Sequence, residues 1–521
     1  MSAAITMAAL AGAAFVATGD PTEFGLRRSF GIDASGNRNG TAGESDTASD
    51  ESLVAEWSYS QANGSSNQYE LAGNYLVGFD AAGRTTSDSA TGMFTAWDFR
   101  GRQVVIDDSS DFSSPLRHSF YDALGRPVLE VESDSTGLLY QTILIYGPDG
   151  DAPVEEIRLD QLGAEISRVQ YALGPTANGP GVIAEKSGGV WRFHHEDQDG
   201  SLIGLTAESG LRVAEYDYLP FGTPVRRTIL LDVAPAGIAS VDEDTPTTGV
   251  TRITLNSASL VAGTLVGREL AVAVPTATTD QYRAASVAAN STDTIEFDDA
   301  TGSIADAILN EGAGFVIRAA RLALGAPAWT YDSLSDSSKF TVSGADFGGW
   351  LLGGQLTPDV TRPAYLEIIE VDSNGDWLRV RGDATAVSGS TDCYRVVPPV
   401  GLSEEDGSTS AQEGRYLFRG WRYEPAVGLA DWTSGVWASR CGQYLAGGRT
   451  YDPRIGRALT PADIWRNEYE VALWGTLDTA TPPTVAPAIA GTALPSPSYS
   501  IRPAGRPEFR CVGPGSRGWF E

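Results

Sequence analysis

The residues that could do chemistry are few, and the first group is a tetrad that holds two of the chain's three histidines. His194, His195, Glu196 and Asp197 could bind a metal ion or exchange protons. Adjacent residues on a strand point to opposite faces, so the two histidines would not easily bind one ion. We therefore predict a structural role, with His195 hydrogen-bonded to a neighbouring turn. A metal or catalytic role is the alternative.

The second group is a loop whose side-chain oxygens alternate like those of a calcium-binding loop. It comprises Asp372, Asn374 and Asp376, with Asp383 at the twelfth position. Glycine stands at the fourth position instead of the sixth, and the last ligand is aspartate instead of a bidentate glutamate. Because Asn-Gly is also hairpin-turn chemistry, we predict a turn and no cofactor, with bound calcium as the alternative.

Other patterns do not predict catalysis. The chain has only two lysines, Lys186 and Lys339, and neither stands in a context that suggests Schiff-base chemistry. Paired acids such as Asp107 and Asp108 are adjacent in sequence, which separates their side chains on a strand. No Gly-x-Ser-x-Gly pattern lies in a convincing strand–turn–helix context. We therefore predict that the chain is not an enzyme and has no catalytic residue.

Composition restricts the fold and the partners. The 521 residues predict two to four folding units. Acidic residues outnumber basic ones 67 to 37, giving a net charge of −30 that disfavours nucleic acid and anionic lipid as partners. Glycine (59) and proline (28) interrupt the chain too often for an all-helical protein. The three cysteines have neither metal-site spacing nor the number that a disulfide scaffold needs.

A repeat runs through the first half of the chain. An aromatic residue followed by Asp-x-x-Gly-Arg begins at positions 79, 97 and 121, and weaker copies begin at 146 and 171. Aspartate that caps its own backbone and glycine with positive φ are turn chemistry. The segments between the turns alternate apolar and polar residues, as strands do. Each repeat is therefore predicted to be one β-hairpin, with an aromatic ring that anchors its turn to the sheet. The motif residues are Phe79, Asp80, Gly83, Arg84, Trp97, Asp98, Gly101, Arg102, Tyr121, Asp122, Gly125 and Arg126.

These repeats resemble the tyrosine-aspartate (YD) repeats of Rhs proteins, and later motifs extend the resemblance. Residues 192–206 are similar to the family's aromatic-His-x-Asp repeat, and residues 216–222 to its closing motif. Residues 417–429 and 449–461 are similar to the two halves of the Rhs core-associated signature. The resemblance covers about residues 70–226 and 415–465. The matching residues in these later motifs include His195, Asp197, Gly200, Tyr216, Asp217, Pro220, Phe221, Gly222, Tyr451, Asp452, Pro453, Gly456 and Arg457.

Two departures from the family pattern change what the resemblance implies. About 190 residues separate the closing motif from the signature, which follows it closely in the family. The family's Asp-Pro-x-Gly-Leu element, which is tied to self-cleavage and toxin release, is absent after Pro461. The resemblance implies a spiral hairpin sheet, but about six hairpins are too few to close a large shell.

The intervening residues contain a second duplication. Residues 262–270 align with 348–356, and residues 294–297 align with 377–380. The predicted fold is all-β, and we expect residues 192–226 and 415–465 to pair in one sheet. The predicted order is an N-terminal segment (1–69), a repeat sheet (70–226), an insertion (227–414) of two related antiparallel β modules (about 250–330 and 336–400), a core-associated region that completes the sheet (415–477), and an Ala/Pro-rich tail (478–521).

An incomplete hairpin sheet has open strand edges, and open edges recruit other chains. We therefore predict an extracellular or cell-surface bacterial structural protein that self-assembles into a filament, tube or shell as a homo-oligomer or homopolymer. Either the apolar run 3–17, which is too short to span a membrane, or the tail is predicted to cross between subunits. One alternative is a scaffold or remnant of an Rhs polymorphic toxin. Another is an adhesin or glycan-binding protein. No membrane span is predicted.

Overall fold

The computed structural model describes residues 76–460 with their side chains, apart from short gaps, and the backbone of short strands on either side of them. Most of the predicted connector 3–17 and most of the tail therefore lie outside the described residues. The side-chain gaps are 90, 134–136, 148–149, 151, 220, 243–249, 257–259, 273–282, 298–303, 321–326, 334–336, 344, 346, 358–364, 382–383, 385–393, 402–413, 426–441, 447–448 and 457.

The repeat region is one antiparallel meander in which each strand pairs with the next along the chain. Turns rich in Asp and Gly end each strand after a few residues, so the chain returns beside itself repeatedly. Two separate strand pairs precede the meander, β1 (Ala14–Phe15) with β2 (Phe30–Gly31) and β3 (Glu44–Ala48) with β4 (Glu51–Glu56). The meander strands are β5 (Tyr59–Gln61), β6 (Tyr69–Ala72), β7 (Tyr75–Phe79), β8 (Thr85–Asp88), β9 (Met93–Trp97), β10 (Gln103–Asp107), β11 (Arg117–Tyr121), β12 (Pro127–Asp134), β13 (Gly137–Tyr146), β14 (Pro153–Leu159), β15 (Glu165–Thr176), β16 (Gly179–Ser187), β17 (Val190–Glu196), β18 (Leu202–Ala207), β19 (Arg212–Tyr218) and β20 (Pro224–Val233).

A β-bulge recurs beside the turns at one end of the meander. Phe120 pairs with Leu129 while Tyr121 pairs with Pro127, which leaves Val128 as the extra residue. A bulge bends its strand and increases the local twist, so the repetition curves the sheet. In four other hairpins the extra residue is likewise the second residue of the strand that follows the turn, and these residues are Thr86, Val104, Val154 and Ile203.

The two faces of the meander are covered by different parts of the chain. On the inner face, Leu202, Leu205 and Tyr216 are buried in one core with Leu417 and Tyr444 of the C-terminal region. On the outer face of β19 and β20, charged side chains are covered by the insertion instead. Alternate residues of one strand therefore contact two different parts of the chain.

The insertion continues the hydrogen bonding of the meander, because β20 also pairs with a strand of the insertion, β26. Leu265 and Leu270 are buried in one core, and Leu351 and Leu356, which the sequence aligns with them, are buried in a second core. The first core also contains residues of a short helix that the sequence did not predict. The elements are β21 (Ile238–Glu243), β22 (Val250–Leu255), β23 (Arg268–Pro275), β24 (Asp280–Asn290), β25 (Thr294–Asp298), α1 (Ser303–Glu311), β26 (Phe315–Leu324), β27 (Ala328–Asp332), β28 (Ser337–Thr341), β29 (Gln355–Thr357), β30 (Leu366–Val371), β31 (Trp377–Arg381) and β32 (Cys393–Val397), with 3-10 turns at Pro235–Gly237 and Gly349–Leu351.

The C-terminal region forms a sheet of its own. After a 3-10 turn (Phe418–Gly420), strands β33 (Arg422–Glu424), β34 (Gln443–Ala446), β35 (Arg449–Asp452) and β36 (Arg457–Ala458) pair in chain order, and a separate hairpin joins β37 (Ser498–Ser500) to β38 (Glu508–Arg510). The prediction that residues 192–226 and 415–465 pair in one sheet is therefore wrong for their described strands. The meander and the C-terminal sheet pack face to face, with single backbone hydrogen bonds from Leu202 N to Leu417 O (3.1 Å) and from Thr85 N to Leu459 O (2.9 Å).

The predicted fold class is confirmed: the chain is mostly antiparallel β with large sheets of hairpin strands. In the part of the chain that the structure describes, no helix is long and apolar enough to cross a membrane.

Candidate functional site

The Asp-x-x-Gly-Arg motifs form the turns at one end of the meander. Asp80 Oδ1 accepts hydrogen bonds from the backbone N–H groups of Ala82 and Arg84, both at 2.9 Å, and its Oδ2 accepts one from Arg84 Nε at 2.6 Å. Gly83 adopts a φ of 79°, which glycine reaches without strain. Asp98 and Asp122 make the same bonds to Arg102 and Arg126. Burial acts to raise the pKa of these aspartates, but the hydrogen bonds from the arginines outweigh it and lower the pKa of Asp80, Asp98 and Asp122.

The arginine of each turn also reaches the next turn. Arg84 Nη1 donates to the carbonyl of Asp98 at 2.6 Å, and Arg102 Nη1 donates to the carbonyl of Asp122 at 3.3 Å. Arg126 Nη1 continues the series to the carbonyl of Gly150 at 2.8 Å. Because the carbonyl of one turn satisfies the guanidinium of its neighbour, the turns form a row of coupled hydrogen bonds along the sheet.

The aromatic residues of the motif bond back to the preceding hairpin. Trp97 Nε1 donates to the carbonyl of Thr85 at 2.5 Å, and the Tyr121 hydroxyl donates to the carbonyl of Gln103 at 2.7 Å. The Arg102 guanidinium lies 4.6 Å from the centre of the Tyr121 ring. Phe79 ends β7 and has no group that could donate in this way. Each polar ring thus anchors its own turn to the hairpin before it.

The histidine tetrad is divided between the two faces of β17. The His195 ring is exposed, and its Nε2 lies 2.9 Å from Thr206 Oγ1 on β18, so its partner is on the neighbouring strand. His194 is buried on the inner face, where its Nε2 lies 3.5 Å from a carboxylate oxygen of Glu185. Asp197 accepts from the backbone N–H of Asp199 and Ser201, and Gly200 has a φ of 75°. The two histidines are therefore not brought to one site.

One turn with the same aspartate geometry was missed by the sequence analysis. Asp160 Oδ1 accepts from the backbone N–H groups of Leu162 and Ala164, both at 2.8 Å, and Gly163 has a φ of 80°. It joins β14 to β15 at the opposite end of the meander. The signal was present as Asp-x-x-Gly, but alanine replaces the arginine and no aromatic residue precedes the aspartate.

The loop considered for calcium is the hairpin turn between β30 and β31. The Asp372 carboxylate accepts from the backbone N–H groups of Asn374 (3.2 Å) and Asp376 (3.3 Å). Gly375 has a φ of 76°. Asp383 lies outside the described residues, so the calcium alternative stays a prediction. Among the described residues, no group of three or more His, Cys, Asp or Glu side chains is placed to hold a metal ion.

Among the described residues, a cluster of buried charge lies between the meander and the C-terminal sheet, and we call it the ionic interface. Arg422 of β33 is its centre. Its Nη1 and Nη2 donate to the two carboxylate oxygens of Glu130 at 2.8 and 2.9 Å, and its Nε donates to Glu156 at 3.1 Å. A guanidinium that bonds a carboxylate through two parallel bonds is fixed in orientation as well as in position. Arg422 also contacts Glu424 on its own strand.

Two further arginines complete the ionic interface. Arg415 donates to Glu156 at 3.2 Å and to Glu424 at 2.7 Å. Arg117 of β11 lies 3.2 Å from Glu132 and donates to the carbonyl of Pro425 at 2.9 Å. Burial would raise the pKa of Glu130, but Arg422, with Arg415 and Arg117, outweighs it and lowers that pKa to about 2. For Glu424 burial is the stronger effect and raises the pKa.

An aromatic cluster of the C-terminal region packs against the turn of the closing motif, at one end of the ionic interface. The Tyr444 hydroxyl donates to the carbonyl of Gly222 at 2.7 Å, and the Tyr451 hydroxyl donates to the carbonyl of Phe221 at 2.9 Å. Gly222 has a φ of 94°, and a Cβ there would stand 2.5 Å from the ring of Phe418. The closing motif thus gives the C-terminal region a close backbone approach that needs glycine. Pro220 lies outside the described residues.

One of the remaining signature residues, Asp452, lines a small cavity beside the ionic interface. Asp452 is buried and shares Arg454 with Asp88 of β8. Burial, the largest effect, raises the pKa of Asp452 despite Arg454. The cavity has a volume of about 50 Å³, enough for a few water molecules, and both polar and apolar residues form its other walls. Tyr451, Pro453 and Gly456 are buried, and the side chain of Arg457 lies outside the described residues.

A second buried charge network joins the outer face of the meander to both modules of the insertion. Arg318 of β26 donates to Glu269 and to Glu215 of β19, both at 2.8 Å. Arg395 of β32 also donates to Glu269, and the Tyr365 hydroxyl donates to Asp217 at 2.7 Å. Asp217, a residue of the closing motif, therefore contacts the insertion, while Tyr216 faces the inner core.

Sequence reasoning did not identify Glu130, Glu156, Arg415 and Arg422. Glu130 stands in the strand Val-Leu-Glu-Val-Glu, where an acid between apolar residues is typical of a strand with one face in solvent. Its partner Arg422 is 292 residues away. The single available signal was the clustering of arginines at 415, 419 and 422 in an otherwise aromatic stretch.

No family model and no curated protein matches this chain. Among solved structures it is similar to a crystal structure titled TcdB2-TccC3, at 10% identity and a TM-score of 0.19, over 84% of this chain. It is also similar to the structure of TcdB2-TccC3 without the hypervariable C-terminal region, at 11% identity and a TM-score of 0.17. This chain spans about a fifth of the length of those chains. A match at this level carries no functional information.

Proposed function

We propose that this chain is a structural scaffold of the Rhs type. In this proposal the hairpin meander is a curved wall, the C-terminal sheet closes its inner face, and the insertion is a unit carried on its outer face. The observation that supports it is the bidentate pairing of Arg422 with Glu130 within the ionic interface. The sequence motifs supply the Rhs resemblance, and an extracellular or cell-surface location is proposed on that resemblance alone.

The ionic interface favours a structural use of its charges over a catalytic one. Glu130 and Glu156 of the meander are each paired with an arginine of the C-terminal region. A carboxylate that is fixed between guanidinium groups in this way is neutralised and oriented, so it is poorly suited to exchange protons with a substrate. Separating such a pair without exposing it to water leaves an uncompensated buried charge, which disfavours other arrangements of the two elements. We therefore propose that the site fastens two sheets and is not catalytic.

The closing role is tested by cutting the chain between the two sheets. A protease site inserted within residues 402–413, which lie outside the described residues, would allow cleavage without removing an interface residue. We expect the fragment that begins after the cut to stay bound to the meander through gel filtration. Arg422→Met should release it, whereas Arg168→Met, which removes an exposed arginine paired on β14 and β15, should not. Separation of the wild-type fragments in native buffer would contradict the closing role.

A second candidate, self-assembly into a polymer, is favoured by the first strand of the meander. In the part of the chain that the structure describes, β5 pairs with β6, and we propose that its other edge is available to a second chain. Backbone groups on an open edge gain partners when another strand arrives. Each copy carries a net charge of −30, so copies repel one another. We therefore expect polymers that become more stable as salt screens this repulsion. Light scattering across salt concentrations, with negative-stain imaging, tests this. A monomer under all conditions would refute it and would favour the adhesin alternative.

A further inference from the structure

The outer face of strands β11–β14 carries a contiguous row of apolar side chains. In the strand register Phe120 pairs with Leu129, Leu129 with Ile143, and Ile143 with Ile157. The alternate residues of these strands, including Glu130 and Glu156, are buried on the inner face, so this row faces outward. Phe120 is 42% exposed, and Ile145, two residues beyond Ile143 on the same face, is 40% exposed. We call these five residues the outer patch.

The outer patch ends at a charged rim on one side. Arg168 of β15 pairs in register with Ile157, so it continues the same row. Its guanidinium lies 2.9 Å from Glu155 and 2.7 Å from Glu165. An apolar centre with an ionic edge is the usual composition of a surface that another segment covers. A contiguous apolar face is costly to leave in water.

The residues described with their side chains end at Thr460, beside a path that leads to the outer patch. The methyl group of Thr460 lies 4.0 Å from the position that a Cβ at Gly101 would take, in the turn between β9 and β10. The tip of that turn is Phe99, which is 88% exposed. Arg100 of the same turn donates to the carbonyl of Ala123 at 3.0 Å.

The hydrogen bond from Arg100 to Ala123 places the turn that carries Phe99 next to a second turn with an exposed apolar side chain. Leu124, beside Ala123 in the turn between β11 and β12, is 69% exposed. Phe120 of the outer patch is the residue before Tyr121, which ends β11 at this turn. Exposed apolar side chains therefore lead from the position of Thr460, over the turn row, to the outer patch.

Charge favours the chain's own C-terminal residues as the occupant over a second copy. Residues 461–521 contain six acidic residues and five arginines, so their net charge is 5 − 6 = −1. Residues 1–460 therefore carry −30 − (−1) = −29, and a second copy would bring its whole −30 to the surface. The C-terminal residues also contain apolar side chains suited to an apolar face, including Trp465, Trp474, Trp519 and Phe520.

We propose that residues 461–521 of the same chain dock on the outer patch and cover it. The patch is three strand spacings wide, about 15 Å, which roughly five residues of extended chain can cross. The 61 residues beyond Thr460 have ample length to pass over the turn row first. This docking goes beyond the scaffold role and does not depend on it.

The test places a photo-crosslinker at Phe120, since p-benzoylphenylalanine keeps an aromatic ring at that position. The full chain is prepared in nitrogen-15 and natural-abundance forms, mixed in equal amounts and irradiated. We expect crosslinked peptides from residues 461–521 in which both partners carry the same isotope. The matched control places the crosslinker at Phe193 of β17, which is 45% exposed outside the patch, and should give no crosslink to these residues.

Three outcomes would overturn the proposal. Crosslinks of mixed isotope would show that a second copy occupies the patch and would support self-assembly instead. Crosslinks to other segments only, or none, would show that residues 461–521 do not dock there. As an independent readout, Ile143→Glu should speed amide hydrogen exchange within 461–521 at least severalfold, while Phe193→Glu should leave it unchanged. Equal exchange in the two variants would also count against the docking.

Discussion

Replacing Arg422 with methionine should separate the two sheets more effectively than any other single change at the ionic interface. The substitution keeps an unbranched side chain of similar length but removes the charge. It leaves Glu130 and Glu156 buried without their main partner, because Arg422 makes both bonds to Glu130 and one to Glu156. A buried charge that loses its partner typically costs 3–5 kcal/mol. We therefore expect the free energy of unfolding to fall by about 4 kcal/mol at neutral pH.

The pH dependence of this loss identifies its cause. In the wild-type chain the pKa of Glu130 is lowered to about 2 from an ordinary value of 4.5. A lowered pKa contributes stability that is full above the ordinary value and is lost as the pH falls toward the folded value. In Arg422→Met, burial without the guanidinium raises the pKa of Glu130 instead. The deficit of the variant should therefore be largest at neutral pH and shrink as the pH is lowered toward about 4.

Urea unfolding followed by tryptophan fluorescence, at several pH values, measures both effects. Adding Glu130→Gln to the variant should restore part of the lost stability, because the second change removes the uncompensated charge. Arg168→Met is the control, since that arginine is exposed and its loss should lie within the error of the measurement. A deficit that did not change with pH, or that Glu130→Gln made larger, would refute the charge-pairing explanation.

Three further predictions concern the turns and the second network. Tyr121→Phe should lower the free energy of unfolding by about 1 kcal/mol, because it removes the hydrogen bond to Gln103. Tyr121→Ala should lower it by about 3 kcal/mol or more. Equal melting temperatures for the two variants would contradict the anchoring role. Gly222→Ala should lower the free energy of unfolding by at least about 2 kcal/mol, because its Cβ would meet the ring of Phe418 and alanine is strained at this positive φ. An unchanged unfolding transition in calorimetry would exclude the close approach. Burial acts to raise the pKa of Glu269, but two buried arginines outweigh it and lower that pKa, so its stabilising contribution should be lost as the pH falls below its ordinary 4.5. Glu269→Gln should therefore be less stable at neutral pH and less sensitive to acid, and an acid transition identical to that of the wild type would count against this.

The sequence predicted the local structure well at positions where a residue type has one structural role. Asp98 and Gly101 can be interpreted as a turn from their spacing alone, because a short carboxylate bonds to nearby backbone and glycine takes positive φ. The Asp160 turn was not predicted, because it has the aspartate and the glycine but lacks the flanking aromatic residue and the arginine. Helix α1 escaped for a different reason: it is short, and the apolar spacing of so short a segment is ambiguous.

What the sequence by itself determined is therefore the hairpin: its turns, its aromatic anchors and the all-β class, since these depend on contacts between residues close in the chain. Only the tertiary structure decided which face of each strand is covered and by what. Glu130 and Asp217 have the same pattern as acids that face solvent, yet one is buried under Arg422 and the other contacts the insertion through Tyr365. The same holds for the C-terminal region, which packs on the meander as a second sheet instead of extending it. Alternation along a strand fixes two faces but not their environment, because partners hundreds of residues away supply that environment.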